Sequence, residues 1–157
     1  MNSIGYYESP IGWIRMEADN EALLYLNLVE NLGKYSESNN KIIKQCCEEL
    51  IEYFSGKRKS FDVPINPVGT DFQEQVWDEL LKIPYGKTIS YKQLAHNCNN
   101  PKGCRAVGTA NGKNPIAIIV PCHRVIASDG TLGGYAYGLE VKNKLLVLEK
   151  AISPSIF

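Results

Sequence analysis

A cysteine and a histidine stand side by side at Cys122 and His123, directly after an apolar run and a proline. The nucleophilic form of cysteine is the thiolate, and an isolated thiol with a pKa of about 8.5 is mostly protonated at neutral pH. A nucleophilic Cys122 therefore needs a neighbouring base, and imidazole suits that task. Successive residues of an extended segment point in opposite directions, so adjacency alone does not place His123 on the thiol. A buried structural thiol and one half of a metal site are the alternatives.

The other cysteines and histidines argue against a metal site. The chain contains five cysteines, at positions 46, 47, 98, 104 and 122, and two histidines, at 96 and 123. No two cysteines have Cys-x-x-Cys spacing, so neither the number nor the spacing of ligands resembles a structural zinc site. We predict no metal and no cofactor. Free thiols are the expected state, with a disulfide between Cys98 and Cys104 as the alternative.

The charged residues are unevenly distributed along the chain. The net charge is zero, but residues 1–68 carry −3 and residues 69–157 carry +3. The segment 87–124 has no acidic residue and six basic ones, which are Lys87, Lys92, Lys102, Arg105, Lys113 and Arg124. Such a block suits a phosphate-facing surface, and a solvated basic face is the alternative. No apolar run reaches the roughly 20 residues of a membrane span, and the N-terminus does not resemble a signal peptide, which predicts a cytoplasmic protein without a membrane partner.

The same acid-free block contains a pair of short predicted helices. Ser90 is the expected N-cap of a helix over 91–97, a turn follows at 99–101, and a second helix is predicted over 103–111. Helix, tight turn and helix are typical of a helix-turn-helix DNA-binding unit. The second helix has small side chains and Arg105 as its one long residue, which indicates close docking in a groove without reading of base edges. The alternative is that small residues only allow tight helix packing.

The rest of the chain predicts two domains, a strand-rich one over 1–68 and a helical one over 69–157. The first has short strands within 5–19 and 22–30, a loop over 31–40, a helix over 41–55 and a linker over 61–69. The second opens with a helix whose capping box is formed by Thr70 and Gln73. The apolar run 116–120 is expected to be a short buried strand. A final amphipathic helix over 139–150 is predicted to bury Val141, Leu145 and Leu148.

Several motifs, in order, resemble the O6-alkylguanine-DNA alkyltransferases. They are FQEQVWDELLKIPYGKTISYKQLA, RAVG, NP, PCHRV and GGYAYGLEVKNKLLVLE, and they span roughly residues 69–150. The first 68 residues are similar to that family only in length and element order. The resemblance implies an α/β (α+β) fold, with a small ribonuclease-H-like N-terminal domain and a winged helix-turn-helix-like domain that carries the active site. It implies a monomer that irreversibly moves the alkyl group from O6-alkylguanine in double-stranded DNA to Cys122, once per molecule.

The resemblance also implies which residues react. Cys122 matches the acceptor, His123 the base that acts on it through a water molecule, and Glu149 the carboxylate that orients the imidazole. Tyr91 matches the tyrosine that donates to guanine N3, and Asn114 the asparagine that braces the turn before the active site. Without the resemblance, Glu149 would be interpreted as an ordinary surface charge at a helix end.

A second set of residues matches the family's base pocket. The carbonyls of Cys122 and Val125 match acceptors for the guanine amino group, the Ala136 N–H matches a donor near O6, and Tyr135 matches a pocket wall. The chain departs from the family at Asn111, which replaces a bulkier apolar pocket residue. It also departs at Ala136, where many relatives have serine.

A third set matches the DNA-binding surface, which approaches the lesion from the minor groove. Arg105 matches the residue that fills the place of the flipped nucleotide in the stack. Contact with the groove is implied for Ala106, Gly108 and Thr109, although many relatives have glycine at the position of Thr109. Contact with the DNA is further implied for Tyr91, and contact with its backbone for Gln73, Lys92, Asn100, Lys102 and Ser128.

Two other functions fit part of this pattern. Alkyltransferase-like proteins sense alkyl lesions without chemistry, but they replace the cysteine, whereas this chain retains Cys122, His123 and Glu149 together. A cysteine hydrolase with a Cys/His pair has only His96 as a further histidine, and it leaves the basic helix pair unexplained. The alkyltransferase is therefore the predicted function, and the lesion-sensing DNA-binding protein is the alternative.

Overall fold

The structure is a computed structural model that describes residues 2–33 and 39–154. Its contacts divide the chain into two compact units. The first contains the residues up to Val68 together with Pro115–Ile119, and the second contains Gly69–Asn114 and the residues from Val120 onward. Residues 115–119 therefore lie in the first unit, whereas the prediction places them in the domain over 69–157. They belong to the first unit because Leu26 bonds the Pro115 carbonyl through its N–H and the Ala117 N–H through its carbonyl, each at 2.9 Å.

The first unit is built on a three-stranded antiparallel sheet with the order β1–β2–β3. The strands are β1 (Ser3–Ser9), β2 (Gly12–Ala18) and β3 (Leu23–Val29). The alternation of side chains along β2 sends Ile14 and Met16 to the buried face, where both are fully covered. The predicted strands within 5–19 and 22–30 are confirmed. The predicted loop over 31–40 includes residues 34–38, which lie outside the described residues.

Helix α1 (Lys41–Phe54) packs against this sheet. It confirms the predicted helix over 41–55. The Asn40 side chain caps it by accepting the Ile43 N–H at 3.0 Å. Near its end, Glu49 is buried and accepts the N–H groups of Asp62 and Val63 at 2.8 and 3.0 Å. This carboxylate holds the start of the predicted linker against the helix.

The apolar run 116–120 is buried, but the prediction of a strand is wrong. Only Ile116 makes a β-bridge, and its partner is Leu26 of β3. The chain then turns at Ile118, where the Ile119 N–H bonds the Ala117 carbonyl at 2.8 Å and φ is 72°. Apolarity and length do not distinguish a short strand from a buried turn, which explains the error.

The described residues of the second unit form four α-helices and one pair of short parallel strands. The helices are α2 (Asp71–Leu80), α3 (Tyr91–Asn97), α4 (Cys104–Gly112) and α5 (Leu139–Leu148), and the strands are β4 (Ile89–Ser90) and β5 (Val125–Ile126). A single turn of 3-10 helix covers Cys122–Arg124. No helix in the described ranges is long and apolar enough to cross a membrane.

Local sequence explains where α2 and α3 begin. The Thr70 hydroxyl accepts the Gln73 N–H at 3.1 Å, and the Gln73 side chain accepts the Thr70 N–H at 3.0 Å, so the predicted capping box is confirmed. Ser90 caps α3, as predicted. The indole N–H of Trp77 donates to the Ala110 carbonyl at 2.9 Å in a buried contact between α2 and α4. This bond fixes α4, which carries part of the site described below.

Candidate active site

Cys122 begins the 3-10 turn and lines a pocket of about 330 Å³ in the second unit. Its N–H bonds the Val120 carbonyl at 2.8 Å, which closes a turn just before it. The residue is 6% exposed, and burial raises the pKa of its thiol because the thiolate would be poorly solvated. A hydrogen bond with Asn114 and the positive charge of Lys142 act in the opposite direction. The thiol therefore needs a base to ionise at neutral pH. All five cysteines are free thiols, as expected.

His123 and Glu149 form a fully buried pair, with 2.8 Å between Nε2 and Oε2. Burial lowers the pKa of His123 more than Glu149 raises it, so the imidazole is neutral at neutral pH. Burial alone would raise the pKa of Glu149, but hydrogen bonds from His123 and Arg124 lower it to about 2. An ionised carboxylate can only accept hydrogen bonds, so the proton of neutral His123 is on Nε2.

This tautomer leaves a lone pair on Nδ1 of His123. Nδ1 is buried, and none of the described residues hydrogen-bonds it. The basic nitrogen of the imidazole is thus the one that Glu149 does not bind. A base oriented by a third group is the arrangement of catalytic triads.

Arg124 completes a buried ion cluster. Its Nε and Nη2 donate to the two oxygens of Glu149 at 2.8 and 3.0 Å, and its Nη1 donates to the Ile83 carbonyl at 2.7 Å. The guanidinium also lies 5.9 Å from the centre of the Tyr85 ring. The prediction of Arg124 in a phosphate-facing surface is wrong, because a 7% exposed guanidinium with these partners faces the interior. Membership of the PCHRV motif was the only sequence signal for this role.

Two asparagines bond the backbone on either side of the nucleophile candidate. Asn114, just after α4, donates from Nδ2 to the Val120 carbonyl at 2.7 Å. Asn111, in the last turn of α4, donates from Nδ2 to the Cys122 carbonyl at 3.4 Å. Both are buried. The C-terminal end of α4 is therefore joined to the turn that carries Cys122.

Lys142 of α5 is a second buried cation, and no sequence pattern predicted its burial. It is fully covered, and its Nζ donates to the carbonyls of Val125, Leu132 and Gly134 at 2.7, 2.5 and 3.0 Å. Burial lowers its pKa to about 8. The ammonium group joins β5 to the glycine-rich loop over 130–138. One of these bonds uses the Val125 carbonyl, which the resemblance implies as an acceptor for the guanine amino group.

The buried face of α5 accordingly differs from the predicted one. Leu145 is buried as expected, but its companions are Lys142 and Leu146, while Val141 and Leu148 are only half-buried. Apolar periodicity does not predict a buried lysine whose partners are backbone carbonyls. Its only signal in the sequence was its place inside the motif GGYAYGLEVKNKLLVLE.

The pocket combines α3, α4, the 3-10 turn and the glycine-rich loop. It is lined by Tyr91, Gly108, Asn111, Gly112, Cys122, Gly134, Tyr135 and Ala136. Of the residues predicted for the base pocket, the structure brings all but Val125 to this wall. The Tyr91 hydroxyl donates to the Gly134 carbonyl at 3.4 Å, so α3 and the glycine-rich loop meet at the pocket.

The predicted DNA-binding residues lie at the surface of the second unit. Arg105, Ala106, Thr109, Lys92, Lys102 and Ser128 are exposed, whereas Tyr91, Gly108, Asn100 and Gln73 are half-buried. Five of the six cations of the acid-free block are exposed, and none of those five forms an ion pair with a described acid. The surface around α3 and α4 therefore carries uncompensated positive charge.

Both parts of the chain match models of one family. Residues 71–151 match the 6-O-methylguanine DNA methyltransferase, DNA binding domain, and residues 3–67 match the ribonuclease-like domain of the same enzyme. The chain is also 49% identical over 148 residues to the methylated-DNA–protein-cysteine methyltransferase of Methanosarcina acetivorans, covering 91% of this chain and 95% of the relative. The chain belongs to the O6-methylguanine DNA methyltransferase family. The resemblance carried by the motifs is thereby confirmed.

Solved structures of the family have the same fold. The crystal structure of Mycobacterium tuberculosis O6-methylguanine methyltransferase has a TM-score of 0.87 and 40% identity, covering 99% of this chain and 97% of that one. The structure of Mycobacterium tuberculosis OGT in complex with DNA has a TM-score of 0.86 and 42% identity, covering 93% and 91%. The predicted α+β class, with a ribonuclease-like domain before a helical DNA-binding domain, is confirmed.

Proposed function

We propose that this chain repairs O6-alkylguanine in double-stranded DNA by moving the alkyl group irreversibly to Sγ of Cys122. DNA repair by alkyl transfer to a cysteine is the reaction of its family. The observation that supports the assignment to Cys122 is that it lines the pocket and directly precedes His123, whose imidazole forms the buried pair with Glu149. None of the other four cysteines is among the described residues that line this pocket.

Activation of the thiol begins at His123. Because Nε2 donates to Glu149, Nδ1 is free to accept a proton. We expect it to take the proton of Cys122 through a water molecule, the route that the family resemblance implies. Ionised Glu149 stabilises the imidazolium that forms, and Arg124 keeps the carboxylate from taking the proton itself.

The thiolate then attacks the carbon bound to O6 of guanine. The S–C bond forms as the C–O6 bond breaks, and the bonding electron pair stays on the base. The base takes up one proton, so the thiol proton and the alkyl group have exchanged places overall. We assign Tyr91 as the donor to guanine N3 and the Ala136 N–H as the donor near O6. A thioether has no acid–base route back to the thiol, so each molecule reacts once.

Access to the pocket requires that the damaged nucleotide leave the base stack, because O6 of a paired base is out of reach. Arg105, exposed on α4, is assigned to fill the vacated place. The small residues of α4 allow close approach to the minor groove, and the exposed cations bind phosphates. We assign this activity to a monomer in the cytoplasm that uses no cofactor.

Mass spectrometry after incubation with a duplex containing one O6-methylguanine tests the proposal. We expect a gain of one methyl group on the peptide that carries Cys122, and no gain in Cys122→Ala. Cys47→Ala, which removes a thiol from the first unit, serves as the matched control and should react fully. A protein that binds the duplex and stays unmodified would instead be a lesion sensor.

A further inference from the structure

A tight turn over 84–87 follows α2 and reaches the end of α5. The Lys87 N–H bonds the Pro84 carbonyl at 3.1 Å, and Gly86 has a φ of 80°, a conformation that glycine adopts without steric cost. A Cβ atom on Gly86 would lie 3.2 Å from the carbonyl oxygen of Glu149, so a side chain here would also crowd the end of α5. Glycine at this position therefore allows the turn to approach Glu149 closely.

Three contacts join this part of the chain to Arg124 and to the last residues of α5. The Ile83 carbonyl, just before the turn, accepts a hydrogen bond from Nη1 of Arg124 at 2.7 Å. The centre of the Tyr85 ring lies 5.9 Å from the guanidinium carbon of Arg124. The Tyr85 hydroxyl donates to the Leu148 carbonyl at 3.3 Å. A backbone acceptor, an aromatic ring and a hydroxyl thus contact Arg124 or the residue next to Glu149.

Tyr85 has no part in the proposed bond exchange, although it is half-buried against the ion pair that orients the base. The Arg124 guanidinium uses Nε, Nη1 and Nη2 for hydrogen bonds in its own plane, which leaves its flat faces for packing. The face of an aromatic ring attracts a cation, and it does so more strongly where water is excluded. Because Arg124 is 7% exposed, the Tyr85 ring is well placed to hold the guanidinium.

We propose that Tyr85 is a positioning residue for alkyl transfer, whose ring holds Arg124 on Glu149 so that the carboxylate in turn fixes the imidazole of His123. The inference rests on the proposed function, because that function makes His123 the base. Tyr85 is not among the described residues that line the pocket, so it acts through Arg124 and Glu149 and not on the alkylated base. Its ring therefore affects how readily His123 takes up a proton.

The charges around His123 give the direction of this effect. The charged or titratable groups next to His123, or acting on it directly or through Glu149, are Glu149 and Lys142 of α5, Cys122 and Arg124 of the 3-10 turn, Tyr85, and Tyr135 of the glycine-rich loop. Burial lowers the pKa of His123, and the positive charge of Arg124 lowers it further. A smaller aliphatic side chain at position 85 would let the guanidinium move away from Glu149 and would admit water. Both changes raise the pKa of His123.

NMR titration of the imidazoles tests the proposal in the free protein. The chain has only His96 and His123, so the exposed His96 gives an internal reference in the same spectrum. We expect Tyr85→Leu to raise the titration midpoint of His123 by about one pH unit, and Tyr85→Phe to keep it, because phenylalanine retains the ring face. Tyr25→Leu makes the same substitution at an exposed position of the first unit and should leave the midpoint unchanged. A midpoint that Tyr85→Leu does not raise, or that Tyr85→Phe raises equally, overturns the proposal.

The pH dependence of transfer shows whether the reaction follows this titration. The rate is measured by intact-protein mass spectrometry with a saturating duplex that contains one O6-methylguanine, from about pH 5 to about pH 9. The acid midpoint of the rate should rise together with that of His123 in Tyr85→Leu, whereas a loss of stability alone would not move it. Tyr85→Met replaces Tyr85→Leu if the latter does not fold.

The two measurements separate the proposal from the proposed function. A rate midpoint that stays fixed while the titration of His123 moves overturns the link between Tyr85 and transfer. Failure of the unmodified chain to methylate Cys122 contradicts the proposed function instead, and the NMR titration then still decides whether Tyr85 holds the ion pair that orients His123.

Discussion

Arg124 and Glu149, 25 residues apart in the sequence, form a bidentate ion pair inside the second unit, with hydrogen bonds of 2.8 and 3.0 Å. The same carboxylate binds His123. The positive guanidinium lowers the pKa of the carboxylate and so holds it ionised, which leaves the imidazole as the partner that can titrate. The ion pair thereby determines which nitrogen of His123 is basic.

Replacement of Arg124 by Met should damage both stability and transfer. Removing one partner of a buried pair leaves an uncompensated charge, at a cost of about 3–5 kcal/mol. Arg58→Met is the control, because the Arg58 pair with Glu52 is partly exposed and such pairs contribute about 0–1 kcal/mol. Urea unfolding at neutral pH measures the unfolding free energy of both variants. Equal losses in the two variants would contradict the structural role of Arg124.

The Glu149 carboxylate should make stability depend on acid pH. Its folded pKa of about 2 is below the 4.5 of an unperturbed glutamate, so its contribution is complete above pH 4.5 and is lost as the pH falls toward 2. Glu149→Gln should flatten the fall of the unfolding free energy over this window. Glu140→Gln alters an exposed carboxylate of α5 and should keep the original slope. A slope unchanged by Glu149→Gln would refute the assignment.

Lys142 and Lys144 offer a matched pair of substitutions on one helix. Lys142→Met leaves the carbonyls of Val125, Leu132 and Gly134 without their buried donor, so we expect a loss of about 1–3 kcal/mol in unfolding free energy. Transfer should also slow, because the freed loop lines the pocket. Lys144→Met removes only an exposed pair with Glu140 and should change neither quantity measurably. Denaturant unfolding and the single-turnover rate are the measurements.

Arg105→Ala should slow repair in duplex DNA while sparing a free base. Filling the vacated stack offsets a flipping cost of a few kcal/mol, so its loss should slow the duplex reaction by about ten- to a hundredfold. Reaction with free O6-benzylguanine requires no flipping and should stay within about twofold. Equal slowing of both substrates would exclude the flipping role.

Local sequence predicted the helices of the second unit and the caps of α2 and α3 because those signals act over a few residues. Thr70 and Gln73 show this, since each binds the other's backbone. Arg124 and Lys142 were not predictable as buried groups, because their partners lie in other segments of the chain. Their sequence context resembles that of solvated charges, and only the folded structure shows the carbonyls and carboxylate that offset their desolvation. The bend at Ile118 was missed for a related reason, since a run of buried apolar residues carries no period.

The burial of Cys122 protects its thiol from oxidation in protein that has not yet accepted an alkyl group. Oxidants react with accessible thiolates, and Cys122 is covered and mostly protonated, whereas Cys104 is exposed at the start of α4. We expect dilute hydrogen peroxide to oxidise Cys104 first, which peptide mass spectrometry would show, and to spare Cys122 in the same sample. Each molecule can repair only one lesion, so a thiol lost to a side reaction is a repair lost. Burial keeps Cys122 from reacting with electrophiles in solution before alkylated DNA places a base in the pocket.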